Sequence, residues 1–496
     1  MISLLLSLGA LVLGYIFYGA FVEKVLGVDA ERQTPAYTKQ DGMDYIPMPT
    51  WKVFMIQLLN IAGTGPIFGA IAGAMFGPSA YLWIVFGCIF AGATHDYLSG
   101  MLSLRHDGAG LPDLVGIYLG NNTKKVMLAF SVFLLVMVGA VFVYSPAKIL
   151  GNMTGGTQTV TMIWVGVVLV YYIIATLVPI DKIIGKIYPA FAIALIFMAV
   201  SLLVCLLVKW PSSTPEIWDG LQNRNPKGGC LFPCLFISIA CGAISGFHAT
   251  QSPLMARCLK NEKLGRPIFY GAMVTEGAIA LIWATISSYY FYGGGIEALG
   301  AAAVNPATGA AFTDGPSIVT VVSRDWLGVL GSILALLGVV AAPVTSGDTA
   351  LRSARLIVAD AVGLDQKPMR NRLAICIPIF AVTGALLWFS IADANGFNVI
   401  WRYFGWANQT LSIFTLWALT VFLVQHKEGT AYYLITMLPA AFMTSVCFTF
   451  IMTAKIGFNA PAEWIPYLGT GIFCVSIMLF YWWYGKRKGA AHASED

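Results

Sequence analysis

The stretch ISGFHATQSPL, residues 244–254, sets Ser245, Gly246, Phe247, His248, Thr250, Gln251, Ser252 and Pro253 inside an apolar run long enough to cross a bilayer. Glycine costs about 1 kcal/mol and proline about 3 in a helix interior, so unwinding is expected from Ser245 to Pro253. It would present backbone N–H and C=O groups beside hydroxyls, an imidazole and an amide. A half-helix beginning near Pro253 would turn its positive end toward a carboxylate. The same weakness recurs in VFMIQLLNIAGTGPIFGAIAGAMF, where Gly63, Thr64, Gly65 and Pro66 stand about midway, with Asn60 and Gln57 further back along the helix. Together the two breaks suit a small polar solute, anionic or zwitterionic, with Phe247 and Phe68 as apolar walls or thin gates.

Ionisable groups inside membrane spans are costly and mark ion or proton paths. Glu276, in GAMVTEGAIALIW, is the one carboxylate the sequence places well within a span. It is the candidate for proton coupling, the alternative being a structural ion pair with Arg257 or Arg266. His95 and Asp96 close the third span, and Asp348, Arg352 and Arg355 the ninth; with Arg257 they read as an inner gate, against surface pairing of little energetic worth. Thr345 and Ser346, with the Ala62 carbonyl, offer oxygen ligands for a hard cation such as sodium, though hydroxyls also join membrane helices as plain glue.

Some chemistries are excluded. No GxxxxGK[ST] string supports ATP-driven transport, and neither HExxH nor a Ser–His pairing supports an intramembrane enzyme. Cys230 and Cys234 lack the neighbours of a metal motif; no metal and no cofactor are expected.

These residues need helices in lipid to hold them. The chain is 58% hydrophobic and 11% charged, far from the roughly one quarter charged of soluble domains. It divides into about thirteen apolar segments of spanning length, near 2–22, 51–76, 79–103, 126–147, 159–180, 187–208, 231–256, 267–292, 326–347, 373–391, 399–424, 430–452 and 464–484. The first lacks a basic n-region and a cleavage site, and reads as a retained span. With the N-terminus extracytoplasmic and Lys486, Arg487 and Lys488 cytoplasmic, only Lys148, Lys209, Arg224, Lys227, Arg324, Arg402 and Lys455 of the 29 basic residues fall outside. Basic residues gather on the cytoplasmic side, so the net charge of +5 is anchoring charge against lipid, with no nucleic-acid partner indicated.

The expected organisation is an extra helix and linker over 1–50, a five-helix repeat over 51–208, an ordered outer loop over 209–230, a second repeat over 231–424, and two helices and a tail over 425–496. Five spans per half invert the second half relative to the first. Inverted repeats that each open on a discontinuous helix describe an all-α polytopic protein of LeuT-like architecture, with its site at the midplane.

Four strings, NIAGTGPIFGAIAGAMFGP at 60–78, WIVFGCIFAGATHDYLSGMLSLRHDG at 83–108, ISGFHATQSPLMARCLKNE at 244–262 and WRYFGWANQTLS at 401–412, together resemble the carbon starvation protein A (CstA) family of bacterial peptide and pyruvate transporters. The resemblance implies inner-membrane symport of short peptides or pyruvate, driven by protons, when preferred carbon runs out, and, through a relation to the APC superfamily of amino acid and polyamine transporters, the same LeuT-like core. Peptide against pyruvate stays open, as does oligomeric state. The alternatives are a sodium-coupled carrier of another small carboxylate or amino acid, and a nutrient sensor that binds without transporting.

Overall fold

The computed structural model describes residues 1–492 except 43, 178–179, 227, 306–307, 367 and 394–395. Ten of its helices are long and apolar enough to cross a membrane, or eleven when one bent pair counts as a single span. Two of the predicted segments fall outside that measure, 79–103 and 231–256; the first is helical throughout and the second is broken. Residues 493–496, the end of the predicted tail, lie outside the described residues.

In chain order the main helices are α1 (Ile2–Leu26), the bent pair α2 (Thr50–Ala62) and α3 (Gly65–Ala74), α4 (79–105), α5 (Asn121–Met153), α6 (Gln158–Leu177) and α7 (Ile180–Lys209). A second series follows: α8 (Leu231–Ser238), α9 (Gly246–Ala256), α10 (Glu262–Tyr292), α11 (Gly315–Val362), α12 (Met369–Ala392), α13 (Gly396–His426), α14 (Leu434–Thr453) and α15 (Ile465–His492). Helices α5 and α7 each pack along α11, and α9 lies against α2, α4 and α13.

The first break falls where the sequence placed it. Gly63 has φ 42° and ψ −142°, a region that favours glycine, and a Cβ there would stand 2.7 Å from the Phe142 ring. Helix resumes after Thr64, whose carbonyl accepts from the Phe68 amide at 2.8 Å. Pro66 sits in that first turn, where its missing N–H costs nothing and its fixed φ suits a helix start. The two pieces meet at 50°.

The second break lies earlier than expected. α8 ends at Ser238, residues 239–245 turn, and Gly246 opens α9, so Pro253 is interior to a helix. The local polar groups are absorbed by that helix: Thr250 Oγ1 donates to Phe247 O at 2.7 Å and Ser252 Oγ to His248 O at 3.0 Å. The turn instead occupies the small residues Ala240, Cys241, Gly242 and Ala243. A Cβ on Gly242 would meet Ala280 at 2.4 Å, so this size is what lets the turn seat against α10.

Spacing along α3 brings the breaks together. Gly65, Gly69 and Gly73 recur every fourth residue on one face, and their absent side chains are replaced by Cys241, the Ser238 carbonyl and Ile239, at 2.2, 2.9 and 2.1 Å from where Cβ atoms would be. Small residues at this spacing let membrane helices approach closely. The outer loop is seated on helix ends: Ser79 Oγ donates to Leu221 O at 2.9 Å and Tyr292 OH to Arg224 O at 3.0 Å.

Gly246 is the most constrained point of the second break. Its Cβ would lie 2.3 Å from the Ser412 amide nitrogen and 2.5 Å from the Asn408 carbonyl oxygen, backbone that cannot rotate away. Gly246→Ala is expected to destabilise the protein by about 1–3 kcal/mol, read as an earlier unfolding midpoint in detergent, whereas Gly384→Ala, in a helix interior with open space around it, is expected not to lower the midpoint.

Candidate functional site

The turn at 239–245 delivers the start of α9 to the centre of the molecule. Ser245 has extended φ and ψ and makes no cap with its own side chain. The cap comes from α13: Asn408 Oδ1 accepts from the Phe247 amide at 2.8 Å and from Ser245 Oγ at 3.0 Å. An acceptor from another helix thus satisfies a first-turn donor that lipid could not.

His248, the third residue of α9, then meets two carboxylates. Its Nδ1 lies 2.7 Å from Asp96 Oδ2 and its Nε2 3.4 Å from Glu276 Oε2, while the other oxygen of Asp96 lies 2.8 Å from His95 Nδ1. All four side chains are fully buried. With Asp96 accepting from Nδ1–H, the Nε2 lone pair of a neutral His248 faces Glu276. The row crosses three elements, α4, α9 and α10.

Gln57 of α2 joins from the side, donating to Ser252 Oγ at 3.3 Å, and Gln251 donates to Thr250 Oγ1 at 2.9 Å. Around this row the Asn60 amide, Thr64 Oγ1, Gln57 Oε1, Gln251 Oε1 and His95 Nε2 have no hydrogen-bond partner. Each such buried group costs about 1–3 kcal/mol. Their concentration beside two helix breaks is what a binding site for a polar guest requires. Phe142 lies over Gly63 and meets Phe247 edge to face at 6.3 Å between centroids, and Phe68 faces Trp401 at 6.0 Å.

Several expected placements change. Asp96 and His95 do not end a span; they lie inside α4, beside His248. Asp348, Arg352 and Arg355 lie within α11, which runs on to Val362, because charged residues lowered the local hydropathy without ending the helix. Asp348 accepts from Tyr188 OH at 2.6 Å and Tyr171 OH at 3.0 Å, and Arg352 donates to Ala175 O at 2.5 Å. Arg257 donates to Gly108 O at 3.0 Å and stacks over Tyr45. The expected inner gate is therefore three separate clusters. Glu276 pairs with neither arginine: Arg266 forms an ion pair with Glu23 at 3.1 Å, and Arg257 is engaged by Gly108 O. Nor is it the one buried carboxylate within a helix, since Asp96 and Asp348 are also fully buried.

The hydroxyl pair divides. Thr345 Oγ1 donates to Ala341 O and Ala342 O, both at 2.9 Å, whereas Ser346 Oγ donates to Leu59 O at 2.7 Å, one of the last carbonyls before the first break. Asn408, Tyr171, Tyr188 and Cys241 carried no sequence signal of a role; Asn408 stands within WRYFGWANQTLS but its partner is far away in sequence.

A many-spanning helical protein with helices broken around a buried polar row belongs to the class of membrane transporters. Comparison with known proteins narrows this: the profile of carbon starvation protein CstA matches residues 1–212, 161–325 and 296–450, and the chain belongs to that family. It is 46% identical to an uncharacterized membrane protein of Haemophilus influenzae over 57% of this chain and 89% of that one. It is 25% identical to the peptide transporter CstA of Escherichia coli, covering 91% and 81%, and 26% identical to that organism's pyruvate/proton symporter BtsT over 56% and 47%. Among solved structures, the fold resembles a manganese transporter mutant of Eremococcus coleocola, with TM-score 0.55 and 12% identity over 89% of this chain and 97% of that one. A Na+-coupled sialic acid symporter gives TM-score 0.51 and 14% identity over 94% and 96%.

Asn408→Ala removes the acceptor at the start of α9. Loss of a helix cap costs about 0.5–2 kcal/mol, so a lower unfolding midpoint is expected. Asn408→Asp, which keeps an acceptor oxygen, is expected to recover most of it; equal loss in both variants would deny the capping role.

Proposed function

We propose that the chain is a proton-coupled secondary transporter that imports short peptides or pyruvate across the bacterial inner membrane, without catalysis. The observation that carries this reading is the buried row Asp96, His248 and Glu276 where the two broken helices meet. A proton held between His248 Nε2 and Glu276 neutralises a carboxylate that hydrocarbon disfavours, which gives cargo entry and proton entry a common location. Gly63, Thr64, Gly65 and Pro66 on one side, and Ser245 to Ser252 on the other, would line the cargo site, with His248 and Gln251 as its principal contacts. The names borne by the Escherichia coli relatives, a peptide transporter and a pyruvate/proton symporter, supply the substrate classes, both of which carry carboxylates.

The frame of this reading is a LeuT-like inverted repeat of about thirteen spans, with halves at 51–208 and 231–424, the N-terminus outside and the C-terminus in the cytoplasm. Full burial of His248, Asp96 and Glu276 fits an occluded state of alternating access. Sodium is the alternative coupling ion, favoured by Ser346 at the Leu59 carbonyl; Ala62 and Thr345 would complete that site.

The test is uptake into proteoliposomes of labelled dipeptide and labelled pyruvate under an imposed pH or sodium gradient. Glu276→Gln is expected to retain counterflow exchange and to lose accumulation driven by the pH gradient, and His248→Ala or Gln251→Ala to weaken cargo binding in a folded protein. Unchanged concentrative uptake by Glu276→Gln would move coupling elsewhere, and uptake that requires sodium with no pH gradient would favour Ser346.

A further inference from the structure

Cys241 has no part in the transport reading, yet it is fixed at the heart of the site. It stands in the turn at 239–245, it is buried, and Gly65 of the first break leaves it room, since a Cβ there would overlap its sulfur. Cys241 Sγ, a ring nitrogen of His248 and a Glu276 carboxylate oxygen all lie within 4.8 Å of one another, and Nε2 is the ring nitrogen that faces Glu276, at 3.4 Å. The three side chains come from the turn, from α9 and from α10, so no spacing in the sequence announces them.

Their chemistry is that of a transition-metal site. Thiolate, imidazole and carboxylate are ligands of zinc and its neighbours, and three protein ligands with an open fourth position is a common arrangement. The outer shell has the corresponding form: His248 offers Nε2 inward because its Nδ1 is engaged by Asp96 at 2.7 Å, the carboxylate–histidine pairing that orients metal-bound imidazoles. Neither Glu276 oxygen has a hydrogen-bond partner, nor does His248 Nε2. Asn408 Nδ2, 3.5 Å from the Cys241 sulfur, can donate to a thiolate.

We propose that Cys241, His248 and Glu276 bind one divalent transition-metal ion of the zinc class, with Asp96 as the positioning residue behind His248. The ion takes the same lone pairs that would hold a proton at His248 and Glu276, so metal and proton occupancy exclude one another. An ion there ties the 239–245 turn and α9 to α10 and so locks the closed arrangement of the breaks. Metal binding does not depend on which solute the chain carries, and it is measured without transport.

The probe is Co2+, followed by Zn2+ competition, on the purified full-length protein stripped with chelator and held in detergent. One Co2+ per chain is expected, with tetrahedral d–d bands in the visible and a thiolate-to-cobalt charge-transfer band in the near ultraviolet, all displaced by Zn2+. Cys241→Ser is expected to abolish the charge-transfer band, and Asp96→Asn to weaken Co2+ binding about 10- to 100-fold; Cys447→Ser, a buried cysteine on α14, leaves the spectrum as it is. Substoichiometric Co2+ in the wild type, d–d bands without charge transfer, or an unaltered spectrum in Cys241→Ser overturns the assignment. The first two need only wild-type protein and hold even where a variant fails to fold.

Discussion

Peptide N–H and C=O groups released inside hydrocarbon must find partners within the protein, and here two side chains from distant helices supply them. Ser346 of α11 donates to the Leu59 carbonyl where α2 is about to end, and Asn408 of α13 accepts from the Phe247 amide where α9 begins. One break needed a donor at a helix C-terminus and the other an acceptor at a helix N-terminus, and each received the matching group. Without such partners a half-helix in the membrane interior would rewind or leave it. These two contacts, with the glycine face of α3 that lets the breaks approach, fix where α2 ends and where α9 presents His248.

Burial of Asp96, Asp348 and Glu276 inside the helix bundle demands a second set of compensations, and the solutions differ. Asp96 lies between two imidazoles and Asp348 receives two tyrosine hydroxyls, so each has at least two polar partners. Glu276 has only the His248 ring nitrogen at 3.4 Å. Deleting one partner of a buried pair costs about 3–5 kcal/mol because it leaves the other uncompensated. The Glu276 carboxyl is thus less compensated than Asp96 or Asp348, and the better-held Asp96 beside it keeps the imidazole in place.

Legibility in the sequence tracked how local each device is. The break at Gly63 was readable because Gly-Thr-Gly-Pro contains both the residue that permits a positive φ and the one that starts a helix. The break in the seventh segment was readable as an event but not as a place: the polar run from Ser245 to Pro253 looked weaker than Ala240 to Ala243, although polar side chains can bond back to their own helix and small ones cannot resist a neighbour's approach. Hydropathy places Asp96, Asp348 and Arg352 at helix ends because it averages over neighbouring residues and carries no sign that a charge is met from across the bundle. The partners that meet them, His248, Tyr171, Tyr188 and the Ala175 carbonyl, are tertiary contacts without any signature of their own.

The displacement of the second break changes what can move. Were His248 in an unwound segment, its backbone could swing between partners while the helices stood still. It sits instead in the first turn of a capped helix, with its amide 3.3 Å from the Ser245 carbonyl, so its ring travels only as α9 travels. Asn408 ties the start of α9 to α13, and Gly246 fits so closely against Asn408 and Ser412 that the two helices cannot slide there. Motion that carries α9 with α13 relative to α4 must therefore part His248 from Asp96, and motion relative to α10 must part it from Glu276. Either motion therefore changes the hydrogen bonding of a single imidazole.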